Sequence, residues 1–182
     1  MILQLARVMK LENMRDSKSR AARLVGSTPT SGIMDTSNQP IKKAYATYHV
    51  GLKILLKKED EFLFLTDAVG KHLDLPGGRI DDVEHNVPLT EVIAREVGEE
   101  LGEEMKYKLG KPVFQFRRHF ESKNMHVFLT VYEAEYLSGE IQLSDEHSNY
   151  QWINPRKVDL TEKDFFHKEE YLAFKMYFEN LA

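Results

Sequence analysis

Residues 77–103, GGRIDDVEHNVPLTEVIAREVGEELGE, place carboxylates at helical spacing. With Glu96 at the origin of a wheel of about 100° per residue, Glu99 falls near about −60° and Glu100 near about +40°. Ile93, Val97 and Leu101 occupy the adjoining arc, so such a helix buries one flank and holds three carboxylates at its edge. Arg95 stands beside Glu96 as an internal counter-ion. Gly77-Gly78 just upstream suits close approach of backbone to a ligand. Carboxylates beside exposed backbone suit Mg²⁺, a hard cation usually shared with substrate phosphates. The plainer reading is a solvated acidic face, whose like-charged pairs cost a few tenths of a kcal/mol each. Arg95 and the Gly-Gly break weigh against that reading.

The surrounding pattern supplies the elements that must hold this helix. Lys43 to Lys57 reads as a strand, Glu59-Asp60 as a turn, and Glu61 to Leu65 as a second strand. Arg79-Ile80 reads as a short strand before an acidic loop. A helix follows from Pro88, in its first turn, to the terminator Gly102. Val113 to Phe120 and Met125 to Tyr136 read as strands, with Ser138-Gly139 turning into Ile141 to Leu143. Tyr150 to Ile153 reads as the last strand, stopped by Asn154-Pro155. A final helix starts at about Lys163, with Tyr171, Phe174, Phe178 and Leu181 on one face. That face has two readings: packing on the domain's own sheet, which is favoured, or a homodimer contact. Strands on both sides of a central helix predict an α+β fold with a mixed sheet between helices.

Composition narrows the classes. The 182 residues carry 25 basic and 29 acidic side chains, a net charge of −4. A non-specific nucleic-acid binder is not expected from that balance. No apolar run approaches a membrane span. The absence of cysteine removes disulfides, thiolate metal sites and cysteine nucleophiles, and suits a cytoplasmic setting. Residues 1–40 carry six basic and three acidic groups, against 19 and 26 in the rest. The expected organisation is a flexible tail over 1–40 and one domain over 41–182. An organelle transit peptide is a rival reading of the tail, spoiled by Glu12 and Asp16. A mis-assigned start is a third, because Gly26-Ser27-Thr28-Pro29 matches one reading frame of a tRNA T-loop.

The helical segment resembles the signature of the Nudix hydrolases. Gly78, five residues and Glu84 fit its first half, and Arg95-Glu96-Val97-Gly98-Glu99-Glu100-Leu101-Gly102 fits the second without a gap. Leu75-Pro76-Gly77-Gly78 resembles the family's lead-in. Ten residues rather than seven separate Glu84 from Arg95, and Glu103 stands where an aliphatic is usual. The three additional residues fall in the loop before Pro88, where insertion costs little.

The resemblance implies an α/β/α sandwich that hydrolyses a nucleoside diphosphate linked to another moiety, using Mg²⁺ or Mn²⁺. It implies Glu96 and Glu100 as main metal ligands, with Glu99 and the Gly77 carbonyl completing the set. It implies Arg95 as the group that holds Glu84 and Glu96. The base would be a box glutamate or Glu146. Arg79, Arg117 and Arg118 are candidate phosphate contacts, with surface charge as the alternative for the last two. Adjacent on a strand, only one of that pair can face a cleft. Tyr48, Phe114, Phe116 and Phe120 could sandwich a base, though core packing is favoured. A non-catalytic nucleotide-binding module is the alternative function. An isopentenyl-diphosphate isomerase is disfavoured because that reaction relies on a cysteine. Neither the proline that marks the ADP-ribose subgroup nor the tyrosine of the diadenosine-polyphosphate subgroup stands near Arg118-His119-Phe120. The expected partner is a small nucleotide-type substrate.

Overall fold

The computed structural model describes residues 45–69 and 71–181. The readings of residues 1–40, and the strand start at Lys43, lie outside the described residues. The elements are β1 (His49–Lys58), β2 (Glu61–Asp67), β3 (Leu73–Asp74), α1 (Leu89–Leu101), β4 (Lys106–Phe120), β5 (Met125–Ser138), β6 (His147–Ile153) and α2 (Lys168–Glu179).

The strands form one mixed sheet in the order β3-β2-β1-β5-β4, with β6 on the far edge of β2. β1 and β5 run parallel over nine residue pairs. Strand parity divides the core between two layers. Leu52, Ile54 and Leu56 of β1 and Leu63 and Leu65 of β2 pack with Val92, Ile93, Val97 and Leu101 of α1. Leu55, Phe62 and Phe64 pack on the opposite face with Phe116, Phe165 and Phe174. The result is the expected sandwich of sheet between helices. Each fully buried aliphatic or aromatic side chain here stabilises the fold by about 1.5–3 kcal/mol. Phe174 of α2 is buried and Tyr171 and Phe178 pack beside it, so the aromatic stripe lies on its own sheet.

β1 and β2 pair only at Lys57–Phe62 and Lys58–Glu61, then diverge as β2 turns to β3. Residues 76–80 take the released edge of β1. Ile54 N donates to the Pro76 carbonyl (2.9 Å), Leu52 N to the Gly78 carbonyl (2.8 Å) and Ile80 N to the Val50 carbonyl (3.0 Å). The short strand expected at Arg79-Ile80 is therefore a single bridge, Gly51 to Arg79.

Several boundaries differ from the sequence reading. β1 begins at His49 because its pairing to β5 begins there. β4 begins at Lys106 rather than Val113. The Gly110-Lys111-Pro112 break is absorbed by register shifts on an edge strand, where proline needs no ladder donor. Ile141 to Leu143 forms no strand. Its backbone instead caps α1, with Gln142 N donating to the Leu101 carbonyl and Ser144 N to the Glu100 carbonyl. The last helix begins at Lys168, because Phe165 is extended and inserted into the core. β3 had no signal beyond two residues. Among the described residues no helix is long and apolar enough to cross a membrane.

The adjacent residues Arg117 and Arg118 meet opposite fates. Arg118 shares the parity of buried Phe116 and is only 5% exposed. Its Nη1 and Nη2 donate to the Asp74 carboxylate (3.3 and 2.9 Å), and its Nε and Nη2 donate to Glu170 of α2. Arg117 is exposed and grips Glu169, Nη2 to Oε2 at 2.7 Å. Arg118→Met should therefore cost about 3–5 kcal/mol of unfolding free energy, since it strands buried carboxylates. Arg117→Ala, at an exposed ion pair, should leave unfolding free energy nearly unchanged. Urea unfolding of both variants checks the contrast, and equal losses would contradict this assignment.

Candidate active site

A cavity of about 630 Å³ opens where β1 and β2 part. Eight acidic residues line it against four basic ones, Lys53, Arg79, Arg118 and Lys123. One wall comes from α1. Val92, Ile93, Val97 and Leu101 bury one flank of that helix, which turns Glu96, Glu99 and Glu100 to the cavity. The helix ends at Gly102, whose φ of 87° suits glycine.

Glu100 is 6% exposed and accepts a hydrogen bond from Gly77 N at 2.7 Å. Burial pushes its carboxyl up to about 7, and nearby Asp74 and Glu96 add to that rise. Lys53 and the Gly77 N–H oppose it. Burial likewise raises Glu96, against the pull of Arg95. Arg95 ties the acidic edge together. Its Nε and Nη2 form a fork on Glu84 (2.6 and 2.9 Å), Nη2 also donates to Glu96 (2.8 Å), and Nη1 donates to Glu99 (2.9 Å). Those bonds, together with the Asp81 N–H, hold the Glu84 carboxyl below its ordinary range. The three-residue insertion falls after Glu84, in the turn before Pro88, and leaves the fork intact.

The two glycines meet different demands. Gly77 has φ 117°, and a Cβ there would lie 2.3 Å from the Leu52 carbonyl oxygen. Gly78 has no such conformation, but a Cβ there would lie 2.2 Å from Glu96 Oε2. The Glu96 carboxylate thus rests directly against the half-buried Gly78 backbone. The carbonyls of Pro76 and Gly78 accept from β1, which leaves the Gly77 carbonyl outside that ladder.

The remaining candidates separate. Arg79 is at the rim, its Nη1 2.9 Å from Met125 Sδ. Glu146 is exposed at the rim beside Asp145 and His147. Arg118 reaches the cavity floor, but Asp74 and Glu170 engage its guanidinium. Arg117 does not line the cavity. Of the aromatics, Phe120 lines the cavity, Phe114 and Phe116 belong to the core, and Tyr48 packs against His126 and Phe128. Sequence reasoning missed Lys53, Asp74, Lys123 and Met125. Lys53 did carry a signal, a lone charge within the apolar run of β1.

A divalent cation fits this donor set. It offers hard carboxylate oxygens against backbone, including a carboxyl pushed up by its burial. Among the described residues no three His, Asp or Glu side chains already stand at ligating distance. Arg95 holds Glu99 and Glu96 in the present arrangement.

The NUDIX domain profile matches residues 47–174 of this chain. The chain belongs to the Nudix family. It is thereby a hydrolase of the class that acts on phosphorus-containing anhydrides. Among solved structures, the MutT protein from Methanosarcina mazei Go1 is 27% identical with a TM-score of 0.58, over 76% of this chain and 95% of that one. A UDP-X diphosphatase is 21% identical with a TM-score of 0.55, over 76% of this chain and 66% of that one. An ADP-ribose pyrophosphatase from Streptococcus suis 89-1591 is 18% identical with a TM-score of 0.51, over 71% and 92%. No curated protein matches the sequence.

The glycines of this Nudix site give a paired prediction. Gly77→Ala should destabilise the fold by about 1–3 kcal/mol through strained backbone. Gly78→Ala should leave stability nearly unchanged, because the Glu96 side chain can swing away. The displaced carboxylate should then lower turnover by about 10²-fold. Denaturant unfolding beside a pyrophosphohydrolase assay separates the two, and a stable, inactive Gly77→Ala would contradict the reading.

Proposed function

We propose that this Nudix hydrolase is a Mg²⁺- or Mn²⁺-dependent pyrophosphohydrolase. It cleaves a nucleoside diphosphate linked to another moiety by attack of water at phosphorus. The observation that carries this reading is the Glu96 and Glu100 pair set against the Gly77-Gly78 backbone inside the cavity. Glu96 and Glu100 would hold the metal, with Glu99 and the Gly77 carbonyl as further ligands. When bound, the metal polarises phosphoryl oxygens and eases deprotonation of water.

The chain's own residues do the rest. Arg95 orients Glu84 and Glu96 through charge-assisted bonds. A box glutamate or Glu146 takes the proton of the attacking water. Arg79 and Lys123 meet phosphate at the rim. In this reading Arg118 and Arg117 serve as partners of Asp74, Glu170 and Glu169 rather than as phosphate contacts. Phe120, Met125 and Val127 offer an apolar wall to the group beyond the phosphates. A nucleotide-type substrate is in keeping with the names of the similar diphosphatase and ADP-ribose pyrophosphatase structures.

Glu96→Gln and Glu100→Gln should each abolish hydrolysis across a panel of nucleoside triphosphates and nucleotide sugars, with circular dichroism unchanged. Mg²⁺ at 100 times its Kd should stabilise the wild type by about 2.7 kcal/mol and leave the double variant unmoved. Full turnover in either Gln variant sinks the metal assignment. Binding of nucleotides without metal-dependent turnover in the wild type would favour the non-catalytic module.

A further inference from the structure

Lys53 is buried in the middle of β1, 6% exposed, between core residues Leu52 and Ile54. Lysine is almost never buried unless paired, because its ammonium is strongly hydrated. Its pairing here is specific. Nζ donates to the Leu75 carbonyl at 2.8 Å and to Asp74 Oδ2 at 3.3 Å. Asp74 Oδ1 in turn accepts the Leu75 N–H at 2.7 Å. Both polar backbone groups of Leu75 are thus gripped by one ion pair. Two residues on, Gly77 N donates to Glu100 Oε2. Between them the Pro76 carbonyl is pinned by Ile54 N, the residue after Lys53.

The geometry points to Lys53 as a positioning residue for the metal edge of the site: through Asp74 and Leu75 it fixes the backbone at Gly77, and through Gly77 it fixes the Glu100 carboxylate. This rests on the metal reading given above. Lys53 acts through other groups and makes no bond to Glu100 itself. Its charge repels a divalent cation directly but also favours the ionised form of Glu100. Affinities are therefore compared at pH values high enough that they no longer change with pH, where loss of the charge alone would tighten binding and only loss of positioning weakens it.

The test is Mn²⁺ binding to the full-length protein, followed by electron paramagnetic resonance, beside unfolding curves. Glu100→Gln serves as the control. Lys53→Met should weaken Mn²⁺ binding by roughly 10–100-fold at unchanged stoichiometry, the loss typical of a residue that orients a ligand. Lys53→Gln, whose amide keeps a donor for the Leu75 carbonyl, should fall between Lys53→Met and wild type. A merely structural role would lower stability and leave Mn²⁺ affinity of the folded protein unmoved. Equal or tighter binding by Lys53→Met, or uptake of an additional ion, overturns the proposal while leaving the metal reading standing. Wild-type protein that binds no Mn²⁺ overturns the metal reading and this proposal together. If Lys53→Met fails to fold, Lys53→Gln is judged alone: weakened binding supports the role, and unchanged or tighter binding overturns it.

Discussion

Asp74 is the point on which the site rests. Its carboxylate accepts from Lys53 of β1, from Arg118 of β4 and from the N–H of Leu75. Burial alone would raise its pKa, but the two cations outweigh burial and hold it well below the ordinary carboxylate range. Glu170 of α2 takes the rest of Arg118. Buried charges cost several kcal/mol each to desolvate, so the cluster persists only because its members satisfy one another. One consequence is mechanical. β1, β3, β4 and α2 are tied together directly beneath the cavity, where a shift in one would strand the charge of another.

That tie makes the parting of β1 and β2 useful. A sheet that zipped fully would leave no edge for residues 76–80. Here β2 leaves β1 after two pairs, and the lead-in segment bonds to β1 in its place. That placement brings Gly77 against the Leu52 backbone, where a Cβ has no room, and Gly78 against the Glu96 carboxylate, which a Cβ would push aside. Helix α1 then needs only its apolar flank to set Glu96 and Glu100 against the same backbone. The capping of α1 by residues 142 and 144 fixes the helix end that carries Glu100.

Much of this was legible because period and chemistry coincide on α1. Apolar residues at positions 93, 97 and 101 fixed the buried flank, so the acidic edge followed by geometry. Strand parity also foretold that only one of Arg117 and Arg118 could face the cleft. It could not say that Asp74 and Glu170 would claim Arg118, because those partners are 44 and 52 residues away. The two-residue β3 has no period to detect, and Asp74 was lost with it. Lys53 was visible as a charge in an apolar strand, but its meaning depends on a carbonyl 22 residues away. The start of β4 was hidden by a proline that edge position makes tolerable.

The charge arrangement separates two tasks that a sequence count merges. Arg95 is spent on Glu84, Glu96 and Glu99, and Arg118 on Asp74 and Glu170. Lys53 directs its hydrogen bonds to Asp74 and Leu75. The buried Glu100 is left with a single amide N–H among the bonds described above, and burial raises its carboxyl although Lys53 and that N–H pull it down. A site built to be neutral by its own side chains would have placed a guanidinium there. On the metal reading proposed above, a dication would be the positive partner of Glu100. The rim differs again: the Arg79 guanidinium donates to a thioether, a weak acceptor that a phosphate oxygen readily outcompetes. In the proposed reading, protein cations build the scaffold and receive the substrate, while the charge that reaches the reacting phosphate comes from the metal.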